Sequence, residues 1–225
     1  MTGARAYVWA NGFWWYRWHP DVGIGLSDKW ENVIASYILR PGGSFVDAGA
    51  HVGRWTIRAS PFYRRVLSFE PDSFTNKVLR RNLARNNVQN VQVFEIALSN
   101  RVGGAPLYRF GPHACSSLRD VHVSGQNPKP GRNVRVKPLD DFTNYFFAPM
   151  VLKIDVEGEE LAVLRGGSAT LEKFHPTVIV EVHFHTERTK IVEEIEARGY
   201  EVTEEFSDQS DPEGITFLVA KHRMQ

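Results

Sequence analysis

Four side chains near two strand ends have the chemistry to move a proton. Asp155 and Glu157 follow the apolar run 150–154, and Glu181 and His183 close the β-branched run 177–182. An imidazole with its ordinary pKa is part-neutral at pH 7 and can take a proton from a hydroxyl, so His183 is the preferred general base. An unperturbed carboxylate is a weak base towards an alcohol, and Asp155 reads first as an anchor for cofactor or acceptor. Glu157 would also meet the positive end of the helix after it. These oxygen and imidazole groups are of the kind that Mg²⁺ or Mn²⁺ takes. The sequence does not show them converging, however, and no metal is assigned. Lys153, inside its strand, reads as structural.

A proton acceptor needs a reaction partner beside it, and residues 44–56, SFVDAGAHVGRWT, are suited to hold one. Phe45-Val46 leads into Asp47, Gly49 and Gly53 bracket Ala50, His51 and Val52, and Trp55, Ile57 and Ala59 continue as a helix. Strand, glycine turn and helix is the layout by which open α/β sheets hold nucleotide-like cofactors at strand carboxyl ends. Glycine permits positive φ and leaves room for a ligand against the main chain. Glu70, with Pro71 behind it, ends the next strand and is placed to bind ribose hydroxyls. The spacing D-A-G-A-H-V-G does not fit a dinucleotide fingerprint, and the loop lacks the lysine of a phosphate-binding loop. S-adenosylmethionine needs instead a close backbone for its amino-acid end, an acid for the ribose and an apolar slot for adenine. Asp47, Gly49, Glu70 and Ile96-Ala97-Leu98 supply these in chain order, with Ala50, His51 and Gly53 in the turn and Asp155 across the crevice.

The elements that position these groups alternate regularly from residue 44. Strands are expected at 65–70, 91–94, 107–110, 134–136, 150–155 and 177–182, with a final pair at 200–205 and 215–220. Helices are expected at 72–85, 159–164 and 186–198. Phe74, Val78, Leu79 and Leu83 form the buried stripe of the first of these, and Arg80, Arg81 and Arg85 its solvated face. In a doubly wound sheet the crevice opens where strand order reverses, between the strands ending at Asp47 and Asp155.

Two regions depart from this rhythm. The first thirty residues are rich in aromatics, with Asn11-Gly12 as a hairpin turn and Ser27 capping a helix over 27–39. Trp14 and Trp15 face opposite ways on a strand, so both cannot be core on a one-sided hairpin, and they are expected to help wall the acceptor site. Residues 111–132 hold several glycines and prolines together with Ser116 and Ser117, and a loop of that length is expected to cover the crevice. His113 and His122 in it are expected to meet solvent or substrate.

The 225 residues suffice for one α/β domain, with 44–225 as the cofactor domain and 1–43 as its extension. Hydrophobic residues make up 42% and charged residues 24%, and the net charge of +1 gives no bulk attraction to nucleic acid or membrane. The single cysteine, Cys115, excludes an internal disulfide framework. With no apolar run of spanning length and no leader-like start, a cytoplasmic location is expected. Nothing here sets the oligomeric state.

Taken together, VDAGAHVG, SFEPD, ALSN, LKIDVEGEE, LRGG and VIVEVH resemble the FkbM-type methyltransferases from about Phe45 to Ala220. LKIDVEGEE followed by LRG is the most specific part. The resemblance implies a class I methyltransferase fold, a doubly wound, mostly parallel seven-stranded sheet with an antiparallel last strand. It also implies S-adenosylmethionine as cofactor and O-methylation of a hydroxyl on a sugar or secondary metabolite, with a small-molecule or glycan acceptor as partner. His51 departs from the asparagine common in the family. An RNA acceptor and a non-catalytic cofactor-binding or docking module are the alternatives.

Overall fold

Alternation of side chains along the central strands decides which groups reach the site. The computed structural model describes residues 7–10, 12–16, 31–110, 115–119, 129–183, 185–207 and 215–224. In chain order its elements are β1 (Tyr7–Ala10), β2 (Phe13–Tyr16), α1 (Glu31–Ile38), β3 (Gly42–Ala48), α2 (Arg54–Ala59), β4 (Tyr63–Phe69) and α3 (Ser73–Arg85). There follow β5 (Val91–Phe94), β6 (Ala97–Leu98), β7 (Gly103–Phe110), β8 (Cys115–Ser117), β9 (Lys129–Lys137), β10 (Met150–Ile154), α4 (Glu160–Gly166) and α5 (Ser168–Phe174). The chain closes with β11 (Thr177–Val182), α6 (His185–Glu196), β12 (Tyr200–Ser207) and β13 (Thr216–His222).

Seven of these strands form one sheet in the order β12-β13-β11-β10-β3-β4-β5. β10, β11, β3, β4 and β5 pair in parallel, and β13 runs antiparallel to both its neighbours. This is the expected doubly wound, mostly parallel sheet. Strand order reverses between β3 and β10, which places the crevice at their carboxyl ends.

Residues at alternate positions enter two different cores. Val46, Ala48, Leu152, Ile154 and Val180 pack with Val163, Leu164, Ile191 and Ile195 of α4 and α6 on one face. Phe45, Val66, Ile179 and Val219 pack with Ile34, Tyr37 and Ile38 of α1 on the other. Asp47 and Glu181 lie two residues beyond Phe45 and Ile179, so they share the α1 face at the strand ends. Lys153 pairs with Asp47 across β3 and β10 and lies on the same face.

α3 begins where Asp72 caps it, accepting from the backbone amides of Phe74 and Thr75 at 3.0 and 2.9 Å. Val78, Leu79 and Leu83 are buried as expected, but Phe74 is 47% exposed because its position in the first turn faces away from the sheet. The helix expected over 27–39 is seen from Glu31, and Ser27 lies outside the described residues.

The described parts of the 111–132 insertion include strand, at 115–117 and from 129 onward, where an irregular loop was expected. β7 pairs antiparallel with β8 and with β9, and β9 pairs in parallel with β6, giving a four-stranded second sheet. Ala105, Leu107, Val134 and Val136 close over Ala97 as its core. His113 and His122 lie outside the described residues. No helix among the described residues is long and apolar enough to cross a membrane.

Candidate active site

The turn after β3 is fixed by two close approaches that only glycine allows. Gly49 has φ +78°, and a Cβ there would lie 1.7 Å from the carbonyl oxygen of Asp155. The β3 and β10 ends are therefore in backbone contact, and Asp155 N donates to Ala48 O at 3.1 Å. Gly53 has φ +94°, and its missing Cβ makes room for Leu79 of α3 rather than for a ligand. His51 adopts φ 51°, a left-handed conformation that histidine tolerates better than most residues.

Asp47 is fully buried, with Oδ2 accepting from Thr56 Oγ1 at 2.6 Å and Thr56 in turn sharing a hydrogen bond with Ser68 Oγ. Lys153 Nζ lies 3.7 Å from Asp47 Oδ1 and 2.8 Å from Asp155 Oδ2. Burial alone would lower the lysine pKa, but Asp155, Asp47 and Glu181 raise it above its ordinary value, so the ammonium stays charged. Burial likewise raises Asp47, against the pull of Lys153 and Thr56. Asp155 is held below the usual carboxylate range by Lys153 and His183, which outweigh its burial.

The four residues expected to move a proton do meet. The β10–α4 turn carries Glu157 at φ 53° and Gly158 at φ 106°, which swings Glu157 back over the strand ends. His183 Nε2 lies 3.4 Å from Glu157 Oε2, 3.6 Å from Asp155 Oδ1 and 3.7 Å from Glu181 Oε1. Its Nδ1 is 3.0 Å from Oε1 of Glu160, a carboxylate buried at the start of α4 that also accepts from Gly158 N. Burial would lower the His183 pKa, but Glu157, the Glu160 hydrogen bond, Glu181 and Asp155 raise it well above the ordinary value. A protonated imidazole is an acid, so this electrostatic setting opposes the general-base role expected of His183. The Glu181 pKa is raised as well, pushed up to about 8 by burial and by neighbouring Asp155.

A cavity of about 230 Å³ opens beside this cluster, with Asp47, Gly49, Ala50, His51, Lys153, Asp155 and Glu181 in its wall. Its opposite side is Ile34, Trp55 and Phe217, with Glu31 bridging Arg54 and Arg58. Glu70 does not line it. The Glu70 carboxylate, expected in an open crevice, is 5% exposed and turned inward, because the turn at Pro71 presents two backbone donors to it. Oε2 accepts from His51 N at 3.0 Å and Oε1 from Asp72 N at 2.8 Å. Its pKa is pushed up to about 7 by burial, against the lowering effects of His51 and the Asp72 amide. A carboxylate has about four lone-pair sites, so these two bonds do not exhaust it. Pro71 is half-buried, Leu98 is buried in the main core and Ala97 in the core of the second sheet, and none of the three is in the cavity wall.

The residues expected on the acceptor side separate. Trp15 is 4% exposed and packs against Ala50, Ile57, Leu79 and Leu83. It is a core residue, not a wall of the site, because the hairpin lies flat on α3. Asn82 and Asn86 of that helix hold the edge of β2, with Trp14 N donating to Asn86 Oδ1 and Tyr16 N to Asn82 Oδ1, both at 2.8 Å. Trp14 turns outward, edge-on to Trp9 with the Arg85 guanidinium over its ring, and it is absent from the cavity wall. Ser117 is buried, donating to the carbonyl oxygen of Glu157 at 2.6 Å, while Ser116 is half-buried. Arg119 ties the same segment to Glu159 and Glu187.

Thr56, Glu160 and Arg119 were not expected at the site. Glu160 stands in the quoted motif LKIDVEGEE, and its doubled acid was the available signal. Thr56 and Arg119 carry none, because their contacts span elements.

Comparison with known proteins agrees with this geometry. The methyltransferase FkbM domain profile matches residues 47–202. Methyltransferase 1 of Beauveria bassiana (strain ARSEF 2860) is 29% identical over 209 residues, 80% of this chain and 82% of that protein. Methyltransferase sdnD of Sordaria araneosa is 26% identical over 210 residues, covering 79% and 81%. The crystal structure of methyltransferase FkbM from Methylobacillus flagellatus KT superposes with TM-score 0.53 at 17% identity, over 78% of this chain and 43% of that one. The glycine turn facing Asp155, the strand-end carboxylates and the profile match together place this chain in the FkbM methyltransferase family, with S-adenosylmethionine as its cofactor.

Proposed function

We propose that the chain methylates a hydroxyl group on a sugar or secondary-metabolite acceptor. The observation that carries this reading is the convergence of Asp155, Glu181 and His183, whose ligand atoms all lie within 4.8 Å of one another beside the cavity. The methyl carbon of a sulfonium is already activated, so the protein must hold the acceptor in line and take its proton. Bound S-adenosylmethionine would supply the activated methyl group to the acceptor oxygen and leave as its demethylated sulfide. The hydroxyl proton passes to Glu181 in its ionised form, a stronger base than an ordinary carboxylate because desolvation and the neighbouring Asp155 raise its pKa to about 8, so transfer quickens as pH rises towards that value. Lys153 keeps Asp155 ionised and oriented, and His183, fixed through Nδ1 by Glu160, orients the carboxylates around it.

Gly49, Ala50, His51 and Asp47, in the cavity wall, are assigned to the amino-acid end of the cofactor, and Glu70, behind the wall, to the ribose through its remaining lone pairs. Trp55 and Phe217 give the cavity the apolar surface that packs on a ring-bearing acceptor. The test is a transfer screen with methyl-labelled S-adenosylmethionine against glycosides, polyketides and RNA. Label in an alkali-stable ether of a small molecule supports the reading, and label in RNA or on nitrogen alone overturns it.

A further inference from the structure

Five carboxyl groups gather at the strand ends beside the cavity. Among the described residues, Asp47, Asp155, Glu157, Glu160 and Glu181 lie about the ammonium of Lys153 and the imidazole of His183, with His51 also acting on Asp155. Lys153 is shared among Asp47, Asp155 and Glu181, and Asp47 Oδ1, fully buried in the wall of the same cavity, accepts no hydrogen bond. Leaving a buried carboxylate oxygen such as Asp47 Oδ1 without a donor is costly, which favours entry of a proton or a cation into the cavity.

The geometry selects between these. His183 presents Nε2 to one oxygen each of Asp155, Glu157 and Glu181 at 3.4 to 3.7 Å, too long for hydrogen bonds to any of them. Ligands about 2.1 Å from an octahedral ion stand about 3 Å apart when adjacent and about 4.2 Å when opposite, and the observed spacings fall between. On the far side of the ring, buried Glu160 sits 3.0 Å from Nδ1. A carboxylate on the second nitrogen is the arrangement that fixes the tautomer of a metal-binding histidine and leaves Nε2 free to coordinate.

From this we infer that Asp155, Glu181 and His183, supported by Glu157, form a divalent cation site that accepts Mn²⁺ or Mg²⁺. Oxygen and imidazole donors without thiolate suit those ions. An ion there would lower the pKa of a hydroxyl bound to it. The inference rests on the proposed hydroxyl chemistry only for its purpose; the binding itself does not depend on it.

The test uses donor-free protein, since the cofactor carries its own ammonium, titrated with Mn²⁺ and followed by the electron paramagnetic resonance of the free ion. One Mn²⁺ per chain is expected, weakened at least tenfold in Asp155→Asn and in Glu181→Gln, with Mg²⁺ competing. Glu187→Gln, an acid outside the cluster, should bind as the parent does, and circular dichroism confirms that each variant is folded. Should a ligand variant fail to fold, anomalous diffraction from Mn²⁺-soaked parent crystals reports the ion's ligands directly. No stoichiometric Mn²⁺ in the parent, or binding indifferent to both ligand substitutions, overturns the proposal even if methyl transfer is observed. Stoichiometric binding without transfer to any hydroxyl upholds the site and removes only the proposed function.

Discussion

Ser117 on β8 donates a 2.6 Å hydrogen bond to the carbonyl oxygen of Glu157, joining the second sheet to the turn that carries the site. Glu157 is held in a left-handed conformation, and its side chain approaches His183. The insertion therefore acts on the chemistry through the turn, whether or not it touches the acceptor.

Replacing Ser117 by alanine should lower kcat roughly fivefold, equivalent to the loss of one net hydrogen bond of about 1 kcal/mol. The affinity for S-adenosylmethionine should stay close to that of the parent. Steady-state kinetics with calorimetry of the donor separates the two. A parent-like kcat would mean that the turn holds its shape without Ser117.

Glu70→Ala should weaken S-adenosylmethionine binding by about 1.5–3 kcal/mol, the range for hydrogen bonds to a charged group. Because Glu70 also accepts from the His51 and Asp72 amides, the variant should lose about 1–3 kcal/mol of stability as well. Calorimetry and denaturant unfolding read the two effects independently. Unchanged donor affinity would place the ribose elsewhere.

The raised pKa of Glu70 also makes a signed prediction for pH. Its carboxyl titrates near 4.5 when unfolded and at about 7 when folded, with His51 and Asp72 as the charged groups beside it. Between these values the folded state binds more protons, so Glu70's contribution is full below the lower pKa. It is lost as pH rises through the upper one, on the order of 3 kcal/mol. Glu70→Gln should flatten that part of the stability profile, measured by urea unfolding from pH 5 to pH 8. An unchanged slope would show that Glu70 is ionised throughout.

Trp15→Ala should cost about 3–5 kcal/mol of stability, as for a large aromatic removed from a core. Trp14→Ala, at the hairpin's outer face, should cost much less, and neither should change acceptor specificity. Thermal melts and KM for the acceptor check this. A selective rise in KM with Trp14→Ala would return that ring to the acceptor site.

Strand ends were the most legible feature of the sequence. Apolar runs that stop at Asp47, Glu70, Asp155 and Glu181 mark the sheet edge directly, and the reversal of strand order predicts that residues after β3 and β10 meet. Alternation indicates that Trp14 and Trp15 face opposite ways, but which one is buried depends on α3, whose Asn82 and Asn86 dock the hairpin. The inward turn of Glu70 depends on two backbone amides presented by a loop, and no side-chain pattern records that. The proton held by His183 is a property of the carboxylates around it, and residue type alone suggested a neutral base. In the second sheet the sequence shows strands at 107–110 and 134–136 but not β8 or the start of β9, because Pro130 and Gly131 mask a pairing whose partner is β7.

The central claim is that the half-buried carboxylate of Glu181, at the end of β11 beside Asp155, takes the proton of an acceptor hydroxyl during methyl transfer. Single-turnover transfer of labelled methyl to a hydroxyl acceptor, compared between the parent and Glu181→Gln, tests it most directly. The account predicts a rate at least about 100-fold lower in the variant, with the donor dissociation constant unchanged within a factor of two to three. Transfer by Glu181→Gln at the parent rate would contradict it.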